Sequence, residues 1–388
     1  MPLATPSRTL ALLTALTALL IGAPAAVGAA EGDPPRTVSA WLPYWDQEAA
    51  YLAALRHADQ LHTVSPFWYE TKAADRIAPH TGAGERLVID GIHRAGIKVV
   101  PTVMETLPSG VLAGILTDPA RRATHAKALA AVAVSRDYDG LDLDYETIAT
   151  TGDSAYPAVR DGYTALVEDV CARLHALGKQ CVVTVKPKTA TTGRVWDYAA
   201  LGKTADRVRI MAYNLHWAGG APGPLASTAW YDELLRTATS LVPPERIELA
   251  LPAYGWDWPT AGGGKADTGT TDGGKTEGVK TDGVKTDAGK TDGVKTDAGK
   301  TAHVTWKEAD ALRRAHGAPY RLDPVSSTPY FTYRDGEHAR EVWYQDAKGV
   351  AGHLAVLRRH GVVNTALWAL NSEDPALWPV LAGHAPTP

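Results

Sequence analysis

The stretch Asp139-Gly-Leu-Asp-Leu-Asp-Tyr-Glu146 alternates apolar and acidic residues from Leu141 to its end. Successive side chains of a β-strand point to opposite faces, so a strand here presents Asp142, Asp144 and Glu146 on one face, roughly 7 Å apart. Three ionised carboxylates on one buried face would repel one another, and at least one is therefore expected to hold a proton near pH 7. The segment predicts a strand that places a proton donor beside anions.

This acidic row is compatible with more than one chemistry. A protonated carboxylic acid beside ionised ones is what cleavage of a glycosidic bond requires, because the leaving oxygen must receive a proton. Glu146 stands nearest the C-terminal end of the strand, where barrel enzymes keep their reactive groups. An Asp-x-Asp-x-Glu row by itself also suits a solvent-exposed acidic face or an oxygen-ligand site for a hard cation.

The predicted strand is the fourth of eight short, β-branched runs that alternate with helix-like, Ala- and Leu-rich stretches. Strands that alternate with helices predict a parallel sheet, either closed into a barrel or doubly wound, and the pattern alone does not choose between them. The predicted strands are Val38–Leu42, Leu61–Ser65, Lys98–Val103, Gly140–Tyr145, Cys181–Lys186, Arg207–Tyr213, Ile247–Leu251 and Val363–Leu370.

The interval between the seventh and eighth strands is too long for one helix. A Lys-Thr repeat with an acidic residue in most units runs through it, and its lack of an apolar face predicts a disordered loop over residues 262–301. Residues 302–346 predict a small α+β excursion, with a helix over Trp306–His316 and a hairpin that turns at Asp335-Gly336. Ala347–Arg359 predicts the last helix of the main sheet.

Residues 1–30 predict a signal peptide, and therefore a secreted, extracellular or wall-associated protein. Arg8 precedes an uncharged, largely apolar run from Leu10 to Ile21, and small residues follow it up to Ala30. The run is shorter than the roughly 20 apolar residues that span a bilayer. An uncleaved N-terminal anchor is the alternative, and no membrane association is expected after cleavage.

Composition and cysteine content narrow the classes further. A net charge of −4 gives no basic excess, so neither nucleic acid nor an anionic membrane is an expected partner. The chain has 12 Trp and 15 Tyr but only 2 Phe, which suits flat sugar-binding faces or a Trp-rich core equally. Cys171 and Cys181 would form a disulfide in an exported protein, with two buried thiols as the alternative.

The segment Asp139–Glu146 as a whole resembles the signature of glycoside hydrolase family 18, and the resemblance extends from about Thr37 to Trp378. It is closest to the bacterial branch related to spore-germination and cortex-lytic enzymes. It implies a (β/α)8 TIM barrel over residues 31–384, with the α+β excursion inserted between strand 7 and its helix. Three further segments match the family in order, namely Met211–Trp217, Leu251–Trp258 and Thr365–Leu370.

The resemblance implies catalytic roles for the acidic row. Glu146 would protonate the glycosidic oxygen, Asp144 would hold the acetamido N–H of the substrate, and Asp142 would share a proton with Asp144. Asp139 is grouped with the substrate contacts and would support the strand end. The family uses the acetamido oxygen of the substrate in place of an enzyme nucleophile, with retention of configuration. The substrate must then carry a 2-acetamido group, and neither a cofactor nor a metal is implied.

Further side chains would contact the sugar. Tyr213 would donate to the acetamido oxygen, and Trp368 would form the apolar floor. Asn214 stands where the family often has Asp; it can hydrogen-bond but carries no charge. The other expected substrate contacts are Trp217, Tyr44 and Phe67, although the last two suit core positions equally.

Two polar positions are given structural roles instead. Glu105 follows the third predicted strand and is interpreted as a solvated loop residue, with polar lining of the cleft as the alternative; Lys186 is interpreted as a surface or rim residue.

The sequence therefore predicts a secreted, monomeric hydrolase of β-1,4-linked N-acetylglucosamine polymers, either chitin or peptidoglycan. A non-catalytic glycan-binding relative on the same barrel is the main alternative, and the presence of Glu146 and Tyr213 favours the enzyme. A metalloenzyme built on the acidic row is the third hypothesis; it requires a hard cation, and the histidines show no metal-ligand spacing.

Overall fold

The computed structural model describes residues 37–150, 156–189, 192–260 and 300–383. The predicted signal peptide (1–30) and almost all of the predicted repeat loop (262–301) lie outside these residues. Within the described ranges, no helix combines the length and the apolar character needed to cross a bilayer.

The described chain forms sixteen strands and ten α-helices. The strands are β1 Thr37–Pro43, β2 Thr63–Phe67, β3 Tyr69–Ala73, β4 Arg76–Pro79, β5 Lys98–Val99, β6 Thr102–Glu105, β7 Gly140–Asp144, β8 Gln180–Val185, β9 Arg207–Met211, β10 Ile247–Pro252, β11 Tyr254–Thr260, β12 Ala302–Thr305, β13 Arg321–Asp323, β14 Thr328–Asp335, β15 His338–Tyr344 and β16 Asn364–Trp368. The helices are α1 Gln47–Arg56, α2 Arg86–Arg94, α3 Ser109–Leu116, α4 Pro119–Ser135, α5 Tyr156–His175, α6 Tyr198–Thr204, α7 Thr228–Thr239, α8 Trp306–Ala315, α9 Ala347–Arg359 and α10 Leu377–Leu381.

The main sheet has a TIM-barrel-like arrangement. Its strand order is β4-β3-β6-β7-β8-β9-β10-β16-β1-β2-β5, and all neighbours except β3 and β4 are parallel. The stretches β2–β3 and β5–β6 appear at both ends of this order, with Val64 paired to Val99 and Tyr69 to Val103, so the sheet curls back on itself. The order does not reverse midway as a doubly wound sheet does, which decides between the two predicted architectures.

The acidic strand is central in this sheet, between β6 and β8. All five residues of β7 are buried, because helices cover the outer surface of a curled parallel sheet and side chains fill its interior. Gly140 is required at its start, since a Cβ there would lie 2.4 Å from the backbone oxygen of Gln180 on β8. A disulfide joins Cys171 on α5 to Cys181 on β8, with Cα atoms 5.2 Å apart.

A second, antiparallel sheet follows β10 in the chain, with strand order β12-β11-β15-β14-β13. It begins at Tyr254, before the repeat, and so includes a strand (β11) that lies outside the predicted excursion 302–346. Its hairpin turns over Gly336 and Glu337, since Asp335 pairs with His338, one residue beyond the predicted turn. Helix α8 packs on this sheet around its own small hydrophobic core, which includes Val304, Ala309, Phe331 and Val342.

Candidate active site

The acidic row of β7 points into the interior of the curled sheet, and Asp142 is its deepest member. Asp142 is fully buried; its Oδ2 accepts hydrogen bonds from Arg209 Nη1 at 2.9 Å and Thr102 Oγ1 at 2.8 Å, and its Oδ1 accepts one from Thr184 Oγ1 at 2.8 Å. Burial raises the pKa of Asp142, and the Arg209 guanidinium opposes that rise. Because three donors occupy its oxygens, Asp142 acts as an acceptor.

Asp144 lies one step nearer the strand end and has a different environment. Its side chain is almost completely buried, and no group in the described chain hydrogen-bonds to its Oδ1. Burial, followed by the negative charges of Glu146 and Asp142, raises its pKa well above the usual range. Burial and the neighbouring charges therefore favour the neutral form of Asp144, and one of its oxygens is free to meet a ligand.

Glu146 lies two residues beyond the end of β7 and is about one-third exposed at the mouth of the sheet. Its Oε2 forms an ion pair with Lys186 Nζ at 3.2 Å. Lys186 follows the last residue of β8, so both side chains come from the carboxyl ends of neighbouring parallel strands, where barrel enzymes place their active sites. The interpretation of Lys186 as a rim residue missed this contact.

Glu105, the last residue of β6, is buried beside Glu146, and its interpretation as a solvated loop residue is wrong. Its Oε1 accepts from the backbone N–H of Thr147 at 2.7 Å, and its Oε2 accepts from the Leu107 N–H at 3.2 Å. Burial raises the pKa of Glu105 to about 7. The carboxyl group thus fixes the residue that follows Glu146, a role that only the folded arrangement of β6 and β7 reveals.

Replacement of Glu105 by Gln is expected to change the pH dependence of stability. With a pKa near 7 in the folded protein and 4.5 as reference, the folded state binds a proton between these values that the unfolded chain does not. Glu105 therefore adds about 3 kcal/mol to the free energy of unfolding of the wild-type protein below pH 4.5, and this contribution is lost as the pH rises through 7. The free energy of unfolding in urea, measured against pH, should not show this decrease in Glu105→Gln. Glu168→Gln, at an exposed position on α5, should show the same decrease as the wild-type protein. A difference between Glu105→Gln and wild type that is constant with pH would contradict this assignment.

Tyr213 and Asn214 leave the end of β9 beside the acidic row. Burial raises the pKa of Tyr213, so its hydroxyl is a neutral donor. Asn214 has a left-handed backbone with φ of 60°, a conformation that Asn tolerates better than most residues. Its Oδ1 accepts from Tyr254 Oη at 2.5 Å and from Trp256 Nε1 at 3.2 Å. An amide oxygen serves this acceptor role as well as a carboxylate would.

An aromatic cluster around Trp368 lines the mouth of the curled sheet. Trp368, at the end of β16, meets Trp41 edge-on at 5.4 Å and Phe67 at 5.2 Å between ring centroids. Phe67 and Trp41 are buried, whereas Trp368 is only partly buried and Trp45 is 39% exposed. Tyr44 packs against Trp45 at 5.0 Å. The predicted contacts Trp368, Phe67 and Tyr44 are thus brought together, although Phe67 mainly supports the ring of Trp368.

Two other predicted contacts lie elsewhere. Trp217 is 44% exposed on the loop after β9, where its carbonyl accepts from Trp258 Nε1 at 3.4 Å. Asp139 precedes β7 at the end opposite Glu146, and its Oδ2 bonds His93 Nε2 at 2.9 Å and the Val99 N–H at 2.7 Å. Six residues separate it from Glu146, and in the structure Asp139 supports the start of the strand, as predicted for the strand end; its contact with the substrate stays a prediction.

The geometry also bears on the cation hypothesis for the acidic row. A metal ion there would have to displace Arg209 from Asp142 and Lys186 from Glu146. In the part of the chain that the structure describes, no group of three or more His, Cys, Asp or Glu side chains is arranged to hold a metal ion.

Comparison with known protein families gives a match over residues 96–374 to the model described as glycosyl hydrolases family 18, which is more than half of the chain. The uncharacterised glycosylase YvbX of Bacillus subtilis is 24% identical over 256 residues, which cover 64% of this chain and 62% of that protein. The cortical fragment-lytic enzyme of Bacillus anthracis is 24% identical over 247 residues, which cover 62% of this chain and 48% of that protein. The matches thus span between about half and three-fifths of the length of these relatives.

Solved structures share the fold. The spore cortex-lytic enzyme SleL of Bacillus cereus superposes with a TM-score of 0.73 at 20% identity, covering 91% of this chain and 75% of that chain. A chitinase from Chromobacterium violaceum gives a TM-score of 0.72 at 21% identity, covering 89% of this chain and 98% of that chain. The predicted family is confirmed, as is a TIM-barrel-like fold, and cortex-lytic enzymes are among the proteins that this chain resembles.

Proposed function

Because the chain belongs to glycosyl hydrolase family 18, we propose that it is a glycosidase of β-1,4-linked N-acetylglucosamine polymers, chitin or peptidoglycan. One observation carries the proposal. Glu146 stands at the open end of β7, next to Asp144, a buried carboxyl group whose pKa is raised and whose Oδ1 has no hydrogen-bond partner in the described chain. This is the arrangement that substrate-assisted hydrolysis needs: an exposed acid, and beside it a polar group for the acetamido arm of the sugar.

In the proposed reaction the substrate supplies the nucleophile. Asp144 accepts the acetamido N–H and directs the acetamido oxygen to the anomeric carbon, while Glu146 gives a proton to the leaving oxygen. Asp142, whose oxygens accept from Arg209, Thr102 and Thr184, supports the strand beneath Asp144. Water then opens the cyclic intermediate with Glu146 as base, and the configuration is retained.

The groups at the mouth would position the sugar. Tyr213, kept neutral by burial, donates to the acetamido oxygen, and the partly buried face of Trp368 lies beneath the ring. Asn214 orients Tyr254 and Trp256 at the wall formed by the second sheet. Trp217 would contact the glycan further out.

The same proposal extends to architecture and location. We assign residues 31–384 to a (β/α)8 barrel whose α+β insertion runs from Tyr254 and separates β10 from α9. Residues 1–30 would direct secretion and be removed, and a monomer acting outside the cell is expected.

The test is hydrolysis by the purified protein. N-acetylglucosamine oligomers and peptidoglycan glycan strands are incubated with it, and the new reducing ends are followed by NMR. We expect the β-anomer to appear first, since the mechanism retains configuration. Binding of these glycans without cleavage would favour the non-catalytic relative, and loss of cleavage with a chelator would revive the metalloenzyme.

A further inference from the structure

The ion pair between Lys186 and Glu146 has no part in the reaction proposed above. Lys186 Nζ lies 3.2 Å from Glu146 Oε2, and the two side chains are 30% and 36% exposed. Arg209, the other cation near the acidic row, is buried below it between Asp142 and Glu248. Lys186 therefore places a positive charge at the open mouth of the site, against the proposed acid.

We infer that Lys186 is a specificity-determining residue, which binds a carboxylate on the leaving sugar. The inference rests on the proposed function, because it takes Glu146 as the acid. An acid that protonates the leaving oxygen must lie within hydrogen-bond distance of it. The ammonium beside that acid is then close to the substituents of the carbon atoms next to the leaving oxygen.

The chemistry of the two candidate polymers differs at that position. In a β-1,4-linked chain the leaving oxygen is O4 of the next sugar, and its neighbour is O3. Chitin carries a hydroxyl there. In a peptidoglycan strand every second sugar is N-acetylmuramic acid, whose O3 bears a lactyl group that ends in a carboxylate when no peptide is attached. Lys186 fits the charged substituent, since an ammonium pairs more strongly with a carboxylate than with a hydroxyl.

The existing ion pair also explains how the exchange proceeds. A partly exposed pair between flexible side chains is weak, and a second carboxylate competes for the ammonium. Lys suits the exchange, as its compact head has three donors and a flexible stem. When the lactyl carboxylate binds Lys186, it replaces Glu146 as the partner of the ammonium group.

The bond that breaks joins C1 of N-acetylglucosamine to O4 of the muramic sugar. The acetamido oxygen forms the new bond to C1, and the proton of Glu146 goes to O4. Water then adds its hydroxyl to C1, reforms the acetamide, and returns a proton to Glu146. The free lactyl carboxylate requires an earlier reaction, hydrolysis of the amide that joins the stem peptide to the lactyl group. The protein is thus placed after an amidase reaction.

The test compares three tetrasaccharides of equal length: an N-acetylglucosamine–N-acetylmuramic acid strand with free lactyl carboxylates, the same strand with lactyl N-methylamides, and an N-acetylglucosamine oligomer. The wild-type protein is expected to cleave the carboxylate strand with a kcat/KM about tenfold or more above that for the amide strand. Lys186→Met should lose this preference and keep its rate on the two uncharged substrates. Lys186→Arg should keep the preference, and Lys203→Met, on the exposed end of α6, should behave as wild type.

The outcomes separate the inference from the function on which it rests. Equal rates of the wild-type protein on the carboxylate and amide strands would overturn the inference, and so would a preference that survives Lys186→Met. An equal loss of kcat/KM by Lys186→Met on all three substrates would also overturn the inference, because Lys186 would then only position Glu146. If nothing is cleaved, the proposed function fails. The role of Lys186 is then decided by calorimetry with an uncleavable disaccharide that has N-acetylmuramic acid at its non-reducing end, in its carboxylate and N-methylamide forms. Tighter binding of the carboxylate form that is lost in Lys186→Met would support the inference. Equal binding of the two forms by the wild-type protein would overturn the inference.

Discussion

Replacement of Glu146 by Gln is expected to lower kcat for glycan hydrolysis by about 10²–10⁴-fold, the range that a positioned general acid contributes. Gln keeps the size of the side chain and can donate a hydrogen bond, but it has no proton to transfer to the leaving oxygen. The side chain is about one-third exposed and its ion pair with Lys186 is a surface contact, so the fold should be unaffected. The free energy of unfolding, measured in urea, should change by less than about 1 kcal/mol.

The matched control for this variant is Glu168→Gln, which removes an exposed carboxylate from α5 and should leave kcat unchanged. Initial rates on N-acetylglucosamine oligomers and on glycan strands provide the measurement. Hydrolysis by Glu146→Gln at the wild-type rate would remove Glu146 from the acid role. KM should change little, because the proposed contacts of Asp144, Tyr213 and Trp368 with the sugar do not involve Glu146.

The sequence predicts the main sheet well because its strands carry local signals. Alternation from Leu141 to Glu146 places the acidic row on one face, and the structure keeps that face inside the curled sheet. Each of the eight predicted runs coincides with a strand of the main sheet, within a few residues at the ends. The run at Lys98 is divided at Val100 and Pro101, because Pro lacks the N–H that a ladder needs. The sequence does not predict the strand that begins at Tyr254, because that stretch continues the family segment Leu251–Trp258 directly after β10.

The site is less predictable, because its polar contacts join distant parts of the chain. The burial of Glu105 is stabilised by hydrogen bonds from Thr147 and Leu107, and the contact of Lys186 with Glu146 joins two different strands. Neither contact can be read from the local sequence. A usable signal did exist for Arg209 and Glu248. Each is a charged residue between buried aliphatic neighbours on its strand, and a charge at such a position must find a partner across the sheet.

That pair of residues carries the largest expected effect on stability. Arg209 Nη1 donates to Asp142 at 2.9 Å and to Ser65 Oγ at 3.0 Å, its Nε donates to Glu248, and its guanidinium lies 4.5 Å from the ring centroid of Trp41. Arg209 and both carboxylates are almost wholly buried. One cation thus compensates two buried anions.

Arg209→Met is therefore expected to lower the free energy of unfolding at pH 7 by about 3–5 kcal/mol, the usual cost of leaving a buried charge without its partner. Arg207→Met, two residues earlier on β9 and only partly buried, is the matched control and should cost less than about 1 kcal/mol. Adding Glu248→Gln to Arg209→Met removes one of the two uncompensated anions and should recover part of the loss. Because burial already raises the pKa of Asp142, and loss of the guanidinium raises it further, the defect should shrink as the pH falls and the carboxyl takes up a proton. A small, pH-independent loss in urea unfolding would instead mean that Asp142 is already neutral in the wild-type protein, and that Arg209 acts through packing against Trp41.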